Sequence, residues 1–518
     1  MKRNYLIGVD LGTSATKAAI YTAGGDLLAQ ASVEVPIYHP APGVVEQEND
    51  DFYRTAAATV RQCIRESGID PRQVAAIAFD SQMAGIGSID EDFRPATRFD
   101  SWLDMRCQPY IEMMDRMAGD RVTELTGCAP TCDHGPKMLW WMHERPADFS
   151  RVAKFLTPAG YVAGTMAGLR ADSAFMDYTF IHFTGFSDSR SLGWSQELCE
   201  RFGLDMGVLP RIVEPWHVAA EGVTPAAARD FGLAPGTPVA AGCGDTAACA
   251  LGAGVVAPGM AFDSAGTAAV LAACTDRFVA DRKHRALLCM HSVIPGLYNP
   301  LAYIAGGGIA LRWFRDQFYN TLRGQPQPRE GDLYEEMIAV AEKTPPGAEG
   351  LFFSPHLGGR ICPSAPAMRG AWVGFSWGHT QAHFARAMLE SIAYEYAFYL
   401  DILRDQLPGL ALTEALAAKS RVLVGVGGGA RSTAWNQIKA DVLNLPYQRL
   451  RRSELGTWGS ALIAGKAVGL FEDLAAKAAE AAQPDGDPVV PNPMHRATYD
   501  RLVQEYITLE EALHRHFS

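Results

Sequence analysis

Four short stretches carry side chains that could act together on a phosphate and a hydroxylated ligand. The first is Gly8-Val9-Asp10-Leu11-Gly12-Thr13-Ser14. An apolar run delivers a carboxylate to its end, and Gly12 then permits a tight turn. Backbone N–H groups and the hydroxyls of Thr13 and Ser14 become available there. Such a turn can wrap phosphate oxygens while Asp10 holds a hydrated Mg2+, an ion that prefers carboxylate and water oxygens. The same pattern also describes a hairpin whose Asp and Thr only satisfy backbone groups. The second stretch is Gly242-Cys243-Gly244-Asp245-Thr246-Ala247-Ala248. A carboxylate among such small residues can meet a ligand closely and accept a proton from a hydroxyl, as a general base must. An Asp after Gly is also a common helix cap.

The third feature is a pair of glycine clusters, Gly306 to Gly308 and Gly427 to Gly429. The run VLVGVGGGARSTAWNQIKAD reads as a strand, a glycine turn and a helix opening near Ser432, which would let backbone approach a nucleotide's base or ribose. The fourth is SQMAG (Ser81 to Gly85) after a strand ending at Asp80, followed by SWLDMR (Ser101 to Arg106). Polar groups at strand ends, with an indole and an Asp/Arg pair, suit a polyhydroxylated ligand. A surface salt bridge beside a core Trp would look the same.

Two other phosphate devices fail. The dinucleotide fingerprint is incomplete, running Gly425, Gly427, then Ala430, and no acidic residue stands clearly about 20 residues on. Gly459 to Lys466 reads GSALIAGK, with five residues between the glycines and Ala467 in place of Ser or Thr. It is an ordinary helix, not a P-loop.

The elements that must position these groups alternate short β-branched runs with amphipathic helices, an α/β pattern. Strands are expected at Leu6 to Val9, Ala18 to Tyr21, Ala75 to Phe79, Met260 to Asp263, Val270 to Ala273 and Val422 to Val426. A helix from about Gln381 to Gln406 places Phe384, Met388, Ile392, Tyr396, Tyr399 and Leu403 on one stripe. A shorter one from Asp51 to about Arg65 does the same with Phe52, Ala56, Val60 and Cys63. IGVDLGTSATKAAIYTAGG near the start is echoed by MAFDSAGTAAVLAACTD from Met260. Either chance or duplication could produce this echo. Duplication would give two similar domains, 1–255 and 256–518, with Pro258-Gly259 as a break.

The chain of 518 residues has a net charge of −12, 48% hydrophobic and 20% charged residues, an ordinary globular mix with core for two or three domains. The acidic balance argues against nucleic acid as a partner. The longest uncharged run, Ala286 to Leu311, is broken by Pro295, Pro300 and three glycines, so no membrane span is expected. The apolar start is too short for a signal-peptide core. Ten scattered cysteines read as free thiols in a reducing cytoplasm. Cys128, Cys132 and His134 lack a second ligand pair at zinc spacing and read as packing.

Taken in order, these stretches resemble the FGGY carbohydrate kinases, and most closely their xylulokinase-like members, from about Leu6 to Asp473. GVDLGTSATKAAI is similar to the first phosphate motif and DSAGTAAV to the second. SQMAG stands in the place of GQMHG, and SWLDMR in that of Trp-x-Asp-x-Arg. PKMLWWMHERP resembles the linker with Lys and Trp. GCGDTAACALGAG holds the matching catalytic Asp, GGGIALRWFRD a segment near adenosine, and GGGARSTAWNQIKAD the adenosine motif.

The resemblance implies two actin-like (ribonuclease H-like) domains around an interdomain cleft, with ATP and Mg2+ as cofactors and a small ketose as substrate. It also implies roles. Asp245 would be the catalytic base and Asp10 would position Mg2+ through water. Gln82, Met83, Ala84, Trp102, Asp104, Arg106 and Asp245 would bind sugar. Thr13, Ser14, Gly266, Thr267, Gly307, Gly308, Gly428, Gly429, Ser432 and Asn436 would bind nucleotide. A homodimer is implied by resemblance alone. Departures fall on Ser81 and Ala84, which replace the Gly and His of GQMHG, on Arg360 in LGGRICP, where a Glu is usual, and on Gly160-Tyr161, where the linker's Asp-Tyr is expected. They bear on the sugar more than on the chemistry. Another ketose or a polyol (ribulose, erythrulose, erythritol or glycerol) is the alternative within the class. A non-catalytic actin-like regulator is disfavoured by retention of Asp10 and Asp245.

Overall fold

The computed structural model describes residues 3–266, 268–319, 330–409 and 422–517. All six expected strands form, each within a few residues of its expected ends: Tyr5–Leu11, Ala15–Thr22, Val74–Ser81, Ala261–Ala265, Ala269–Ala273 and Leu423–Val426. The two helices span Gln381–Gln406 and Asn49–Ser67. Ser432 caps Thr433–Leu443, its side chain accepting from the Trp435 N–H at 3.2 Å.

The strands assort into two principal sheets. The first runs in the order Cys243–Gly244, Val74–Ser81, Tyr5–Leu11, Ala15–Thr22, Leu27–Glu34. Its interior strand Val74–Ser81 is buried at every position, as a parallel strand covered on both faces must be. Tyr5–Leu11 and Cys243–Gly244 both pair parallel with it, so the carboxyl ends of three strands lie side by side. A smaller sheet of Glu46–Gln47, Pro95–Asp100, Ile86–Ile89 and Lys154–Leu156 supports the Gln82–Gly85 turn.

The second principal sheet runs Leu288–His291, Tyr298–Ile304, Ala269–Ala273, Ala261–Ala265, Leu423–Val426, Tyr447–Arg449. The uncharged run Ala286 to Leu311 is thus two strands and the start of the helix Gly308–Phe314. Among the described residues no helix is long and apolar enough to cross a membrane.

One element crosses back. The helix Leu455–Ala467, the segment excluded above as a P-loop, packs not on the second sheet but on Tyr5–Leu11, Val74–Ser81 and the helix Asp245–Gly252. The approach is backbone against backbone. A Cβ on Gly8 would run into the Thr457 carbonyl, one on Gly252 into the Leu455 carbonyl, and one on Gly459 into the Ala248 carbonyl. These three glycines are required by the contact itself.

Candidate active site

The parallel register places Asp10 directly opposite Asp80, and Cys243 on the other side of Asp80. Asp245 opens the helix two residues later. Three carboxylates therefore meet at one end of the first sheet. The sequence points to Asp10 and Asp245, and it marks Asp80 only as a strand end. The signal was present, since IAFDS and IGVDL both end an apolar strand in Asp.

Burial raises the pKa of all three carboxyls. For Asp10, the Lys17 ammonium across the hairpin and a hydrogen bond with Asp80 oppose that rise. For Asp80, the neighbouring Asp10 charge adds to burial, while the Ser460 hydroxyl, donating to Oδ2 at 2.7 Å, opposes it. Its Oδ1 is buried with no hydrogen-bond partner. Asp245 is partly exposed and is raised to about 7, first by desolvation and then by Asp10. The Thr246 N–H and hydroxyl, both donating to Asp245 Oδ1 at 2.6 and 3.1 Å, pull the other way. A carboxylate that titrates near neutrality can both take and release a proton at working pH. The oxygen-only donor set and the unpartnered Asp80 Oδ1 fit a hard divalent cation such as Mg2+.

Next to this cluster the hairpin turn is held by a polar relay. The Trp102 indole donates to Thr13 Oγ1 at 2.8 Å, and Gln82 Nε2 donates to Gln47 Oε1 at 2.8 Å. Gln47 Nε2 donates to the Thr13 carbonyl at 3.0 Å. Thr13, Gln82 and Trp102 are thus brought together, and Met83 packs on Gly244, beside Asp245. Ala84 is buried with φ of 60°, a left-handed backbone that bulky side chains avoid. Ser14 is exposed at the far side of the turn.

Asp104 and Arg106 sit differently from the others. Asp104 is fully buried, accepting from the Val45 N–H at 2.7 Å and from Arg106 Nε at 2.9 Å. The Arg106 guanidinium also pairs with Glu46 at 2.7 Å and Asp100 at 3.0 Å, and lies 4.6 Å from the Trp140 ring centroid. The pair braces the wall behind Trp102.

The expected nucleotide glycines converge as well. The Gly308 N–H donates to the Gly266 carbonyl at 2.9 Å. Gly307 lies against Ala268 and Ala269, and Gly427 and Gly429 against Ala265, so tightly that a Cβ would collide. Gly428 faces open space. Asn436 is buried, donating to the Ala430 carbonyl at 2.8 Å, with Oδ1 unpartnered. Thr267 lies outside the described residues.

The cysteine reading agrees with the structure: all ten are free thiols, and Cys132 Sγ contacts the Asp104 carbonyl at 2.7 Å and Cys107 Sγ at 3.7 Å. Among the described residues, the one group of three side chains spaced for a metal is His356, Glu395 and Glu510. Arg360 joins it at 2.9 Å from Glu395, and His356 Nε2 lies 3.3 Å from Glu395 and 3.5 Å from Glu510, so these carboxylates already have protein partners.

Comparison with known proteins agrees with this arrangement. Residues 5–252 match the FGGY family of carbohydrate kinases, N-terminal domain, and residues 263–468 its C-terminal domain. The chain is 28% identical over 481 residues to a xylulose kinase of Bacillus subtilis, covering 91% of this chain and 89% of that one. It is equally 28% identical over 449 residues to the gluconokinase of the same species, covering 85% of this chain and 83% of that one. The solved structure of xylulose kinase from Rhodospirillum rubrum superposes with a TM-score of 0.85 at 26% identity, covering 99% of both chains. With both domains matched in order around the carboxylate cluster and the glycine cradle, the chain belongs to the FGGY family of carbohydrate kinases and has its two-domain, actin-like fold.

Proposed function

We propose that this chain transfers the γ-phosphoryl group of ATP to a terminal hydroxyl of a small ketose, with xylulose the first candidate. The observation that carries the reading is Asp245, raised to about 7 at the shared end of three strands and beside Asp10 and Asp80. Similarity to xylulose kinases points to the substrate. The halves 1–255 and 256–518 serve as the sugar-side and nucleotide-side domains.

In the reaction, Asp245 takes the proton of the sugar hydroxyl as its oxygen attacks the γ-phosphorus. The bond from that phosphorus to the β–γ bridging oxygen breaks, and ADP leaves with the electron pair. The hairpin turns at Thr13 and Gly266 hold phosphates. Gly307, Gly308, Gly428, Gly429, Ser432 and Asn436 shape the adenosine side. Gln82, Met83 and Trp102 position the sugar, with Asp104 and Arg106 bracing them. A hydrated Mg2+ would be held by Asp10 with Asp80 beside it, and would supply neutralisation of phosphate charge. Positioning and preorganised electrostatics provide most of the acceleration. The ten free thiols suit a cytoplasmic protein.

The test is ADP release with MgATP against D- and L-xylulose, D- and L-ribulose, erythrulose, erythritol, glycerol, gluconate and no sugar. Strong release with one ketose bears the reading out. Release with gluconate alone, or none that any sugar stimulates, overturns it.

A further inference from the structure

Of the ten thiols, two touch. Cys107 Sγ and Cys132 Sγ lie 3.7 Å apart although 25 residues separate them in the chain, and among the described residues no other pair of sulfurs is in contact. Cys107 stands immediately before the helix Gln108–Thr126, and Cys132 lies two residues ahead of the helix His134–Glu144.

A buried cation is aimed at the second sulfur. Lys137 is fully buried and donates to Cys132 Sγ at 3.3 Å and to the Cys132 carbonyl at 3.1 Å. Among the described residues no carboxylate forms an ion pair with it. A buried ammonium needs a counter-charge, and the Cys132 thiolate is the anion within reach. Burial works against the charge on Lys137, and Cys132 and then Cys107 outweigh it. The hydrogen bond from Cys107, and then the Lys137 charge, hold the Cys132 thiol below its ordinary range against burial and the Asp104 carboxylate. Cys107 is pushed the other way, first by its bond to Cys132 and then by burial, and keeps its proton. One sulfur is thus prepared as a nucleophile and the other as a thiol beside it.

The pair is tied to the wall behind Trp102. Cys132 Sγ lies 2.7 Å from the Asp104 carbonyl, to which the protonated thiol donates, and 3.9 Å from the Trp102 carbonyl. The Trp102 indole in turn donates to Thr13 Oγ1. A cavity of about 410 Å³ opens beside the sulfurs, lined by Thr131, which precedes Cys132, and by Ile111, which packs with both cysteines. It has room for a molecule as small as hydrogen peroxide.

We propose that Cys107 and Cys132 are a modification site at which a hydroperoxide closes a reversible disulfide, and that closing it loosens the support of Trp102. The Cys132 sulfur attacks one peroxide oxygen and the O–O bond breaks. The departing hydroxide takes up the proton that Cys132 has lost, and Cys132 is left as a sulfenic acid. The Cys107 sulfur then attacks the Cys132 sulfur, the S–O bond breaks, and the second hydroxide leaves as water with the Cys107 proton. Both sulfurs are oxidised and one peroxide is reduced to two waters. The bond draws the sulfurs from 3.7 Å to about 2.05 Å. Cys132 Sγ gives up its contacts with Lys137 and the Asp104 carbonyl. The effect on the sugar rests on the assignment of Trp102 to the sugar side; the disulfide does not.

The experiment uses the full chain, reduced and then treated with hydrogen peroxide, with free thiols blocked before peptide mapping. The expected product joins the Cys107 and Cys132 peptides with the loss of two hydrogens, before any other thiol reacts, and dithiothreitol reverses it. Cys107→Ser should stop at a sulfenic acid on Cys132 that dimedone traps, and Cys132→Ser should leave Cys107 unoxidised. Lys137→Met should slow closure about tenfold at neutral pH and recover in alkali, where the thiolate forms unaided. On oxidation, kcat/KM for the sugar giving the strongest turnover should fall roughly 10- to 100-fold, with ADP affinity unchanged, whereas Cys132→Ser should keep its sugar kinetics through the same treatment. Prior closure of a different pair, a cross-link between Cys132 and Lys137, or a disulfide that leaves the sugar kinetics unchanged overturns the proposal. A variant that does not fold leaves the wild-type peptide map and kinetics to decide. If reduced protein turns over with no sugar, the kinase reading falls, and the peptide map still decides the disulfide.

Discussion

The same strand–turn–strand unit occurs in each principal sheet, yet only one of the two presents a carboxylate to the cleft. Matched on Gly12-Thr13 and Gly266-Thr267, Ser264 stands where Asp10 stands, and Asp263 where Val9 stands. Neighbours along a strand point to opposite faces, so one residue of displacement changes everything for a charged side chain. Asp10 is partly exposed, and so is Ser264; Val9 and Asp263 are fully buried. Asp263 is then neutralised from three directions. Lys439 forms an ion pair with it, and the hydroxyls of Tyr396 and Tyr447 donate at 2.6 and 2.7 Å. Opposite Asp263 the parallel neighbour is Gly425, and the Tyr447 ring fills the space its side chain would take. Opposite Asp10 stands another carboxylate, Asp80. A carboxylate reserved for chemistry is kept short of partners, while a structural one is surrounded by them.

The comparison breaks most visibly at Asp245. Asp245→Asn should lower kcat by about 10²–10⁴-fold, the usual contribution of a general base, with ADP affinity retained by calorimetry; equal turnover would remove the assignment. The mutation should also stabilise the protein above neutral pH. The folded-state pKa, about 7, exceeds the unfolded value of about 3.9. Stability contributed by this group is therefore full below about pH 4 and is lost as pH rises through about 7. Asparagine removes that loss, so its melting temperature at pH 8 should lie above that of the wild type.

Asp263→Asn should give the opposite phenotype. Leaving Lys439 buried without its counter-charge costs about 3–5 kcal/mol, read as a lower denaturation midpoint, while the folded fraction keeps its kcat. Adding Lys439→Met should restore part of the midpoint. A kcat loss as large as that of Asp245→Asn would erase the distinction between the two sheets. A smaller effect concerns pH alone. On the acid limb kcat/KM should fall about tenfold per unit below an apparent pKa of about 7, and a limb near 4 would show that the burial argument is wrong. Smallest of all, Ser264→Asp would face a carboxylate to the phosphates, raising KM for ATP by roughly fivefold through repulsion between like charges and leaving kcat and the sugar KM in place.

Legibility in the sequence followed the range of the interaction. Strands and the helix Gln381–Gln406 follow from local periodicity, and each strand was found within a few residues of its ends. Asp10 and Asp245 were legible because glycine turns flank them. Asp80 was not assigned a role, since its meaning lies in the parallel register with Asp10 across about 70 residues of chain. The brace of Asp104 on Arg106, Asp100 and Glu46 depends on a third, small sheet that no motif announces. Likewise, nothing local in Asp263 or Lys439 signals their pairing, which only the stacking of Thr433–Leu443 on the second sheet creates.

The returning helix Leu455–Ala467 has a mechanical meaning. Its seam with the first sheet is backbone on backbone at Gly8, Gly252 and Gly459, so no side chain can reorient to let the surfaces slide. It also holds Asp80 through Ser460, while Glu454, at its entry, holds Lys17. The helix and the first sheet therefore form one locked body, although the chain reaches this helix only after completing the second sheet. The spacing of the carboxylates is set within that body and owes nothing to the glycine turns around Gly266, Gly307 and Gly428, which stand on the other sheet.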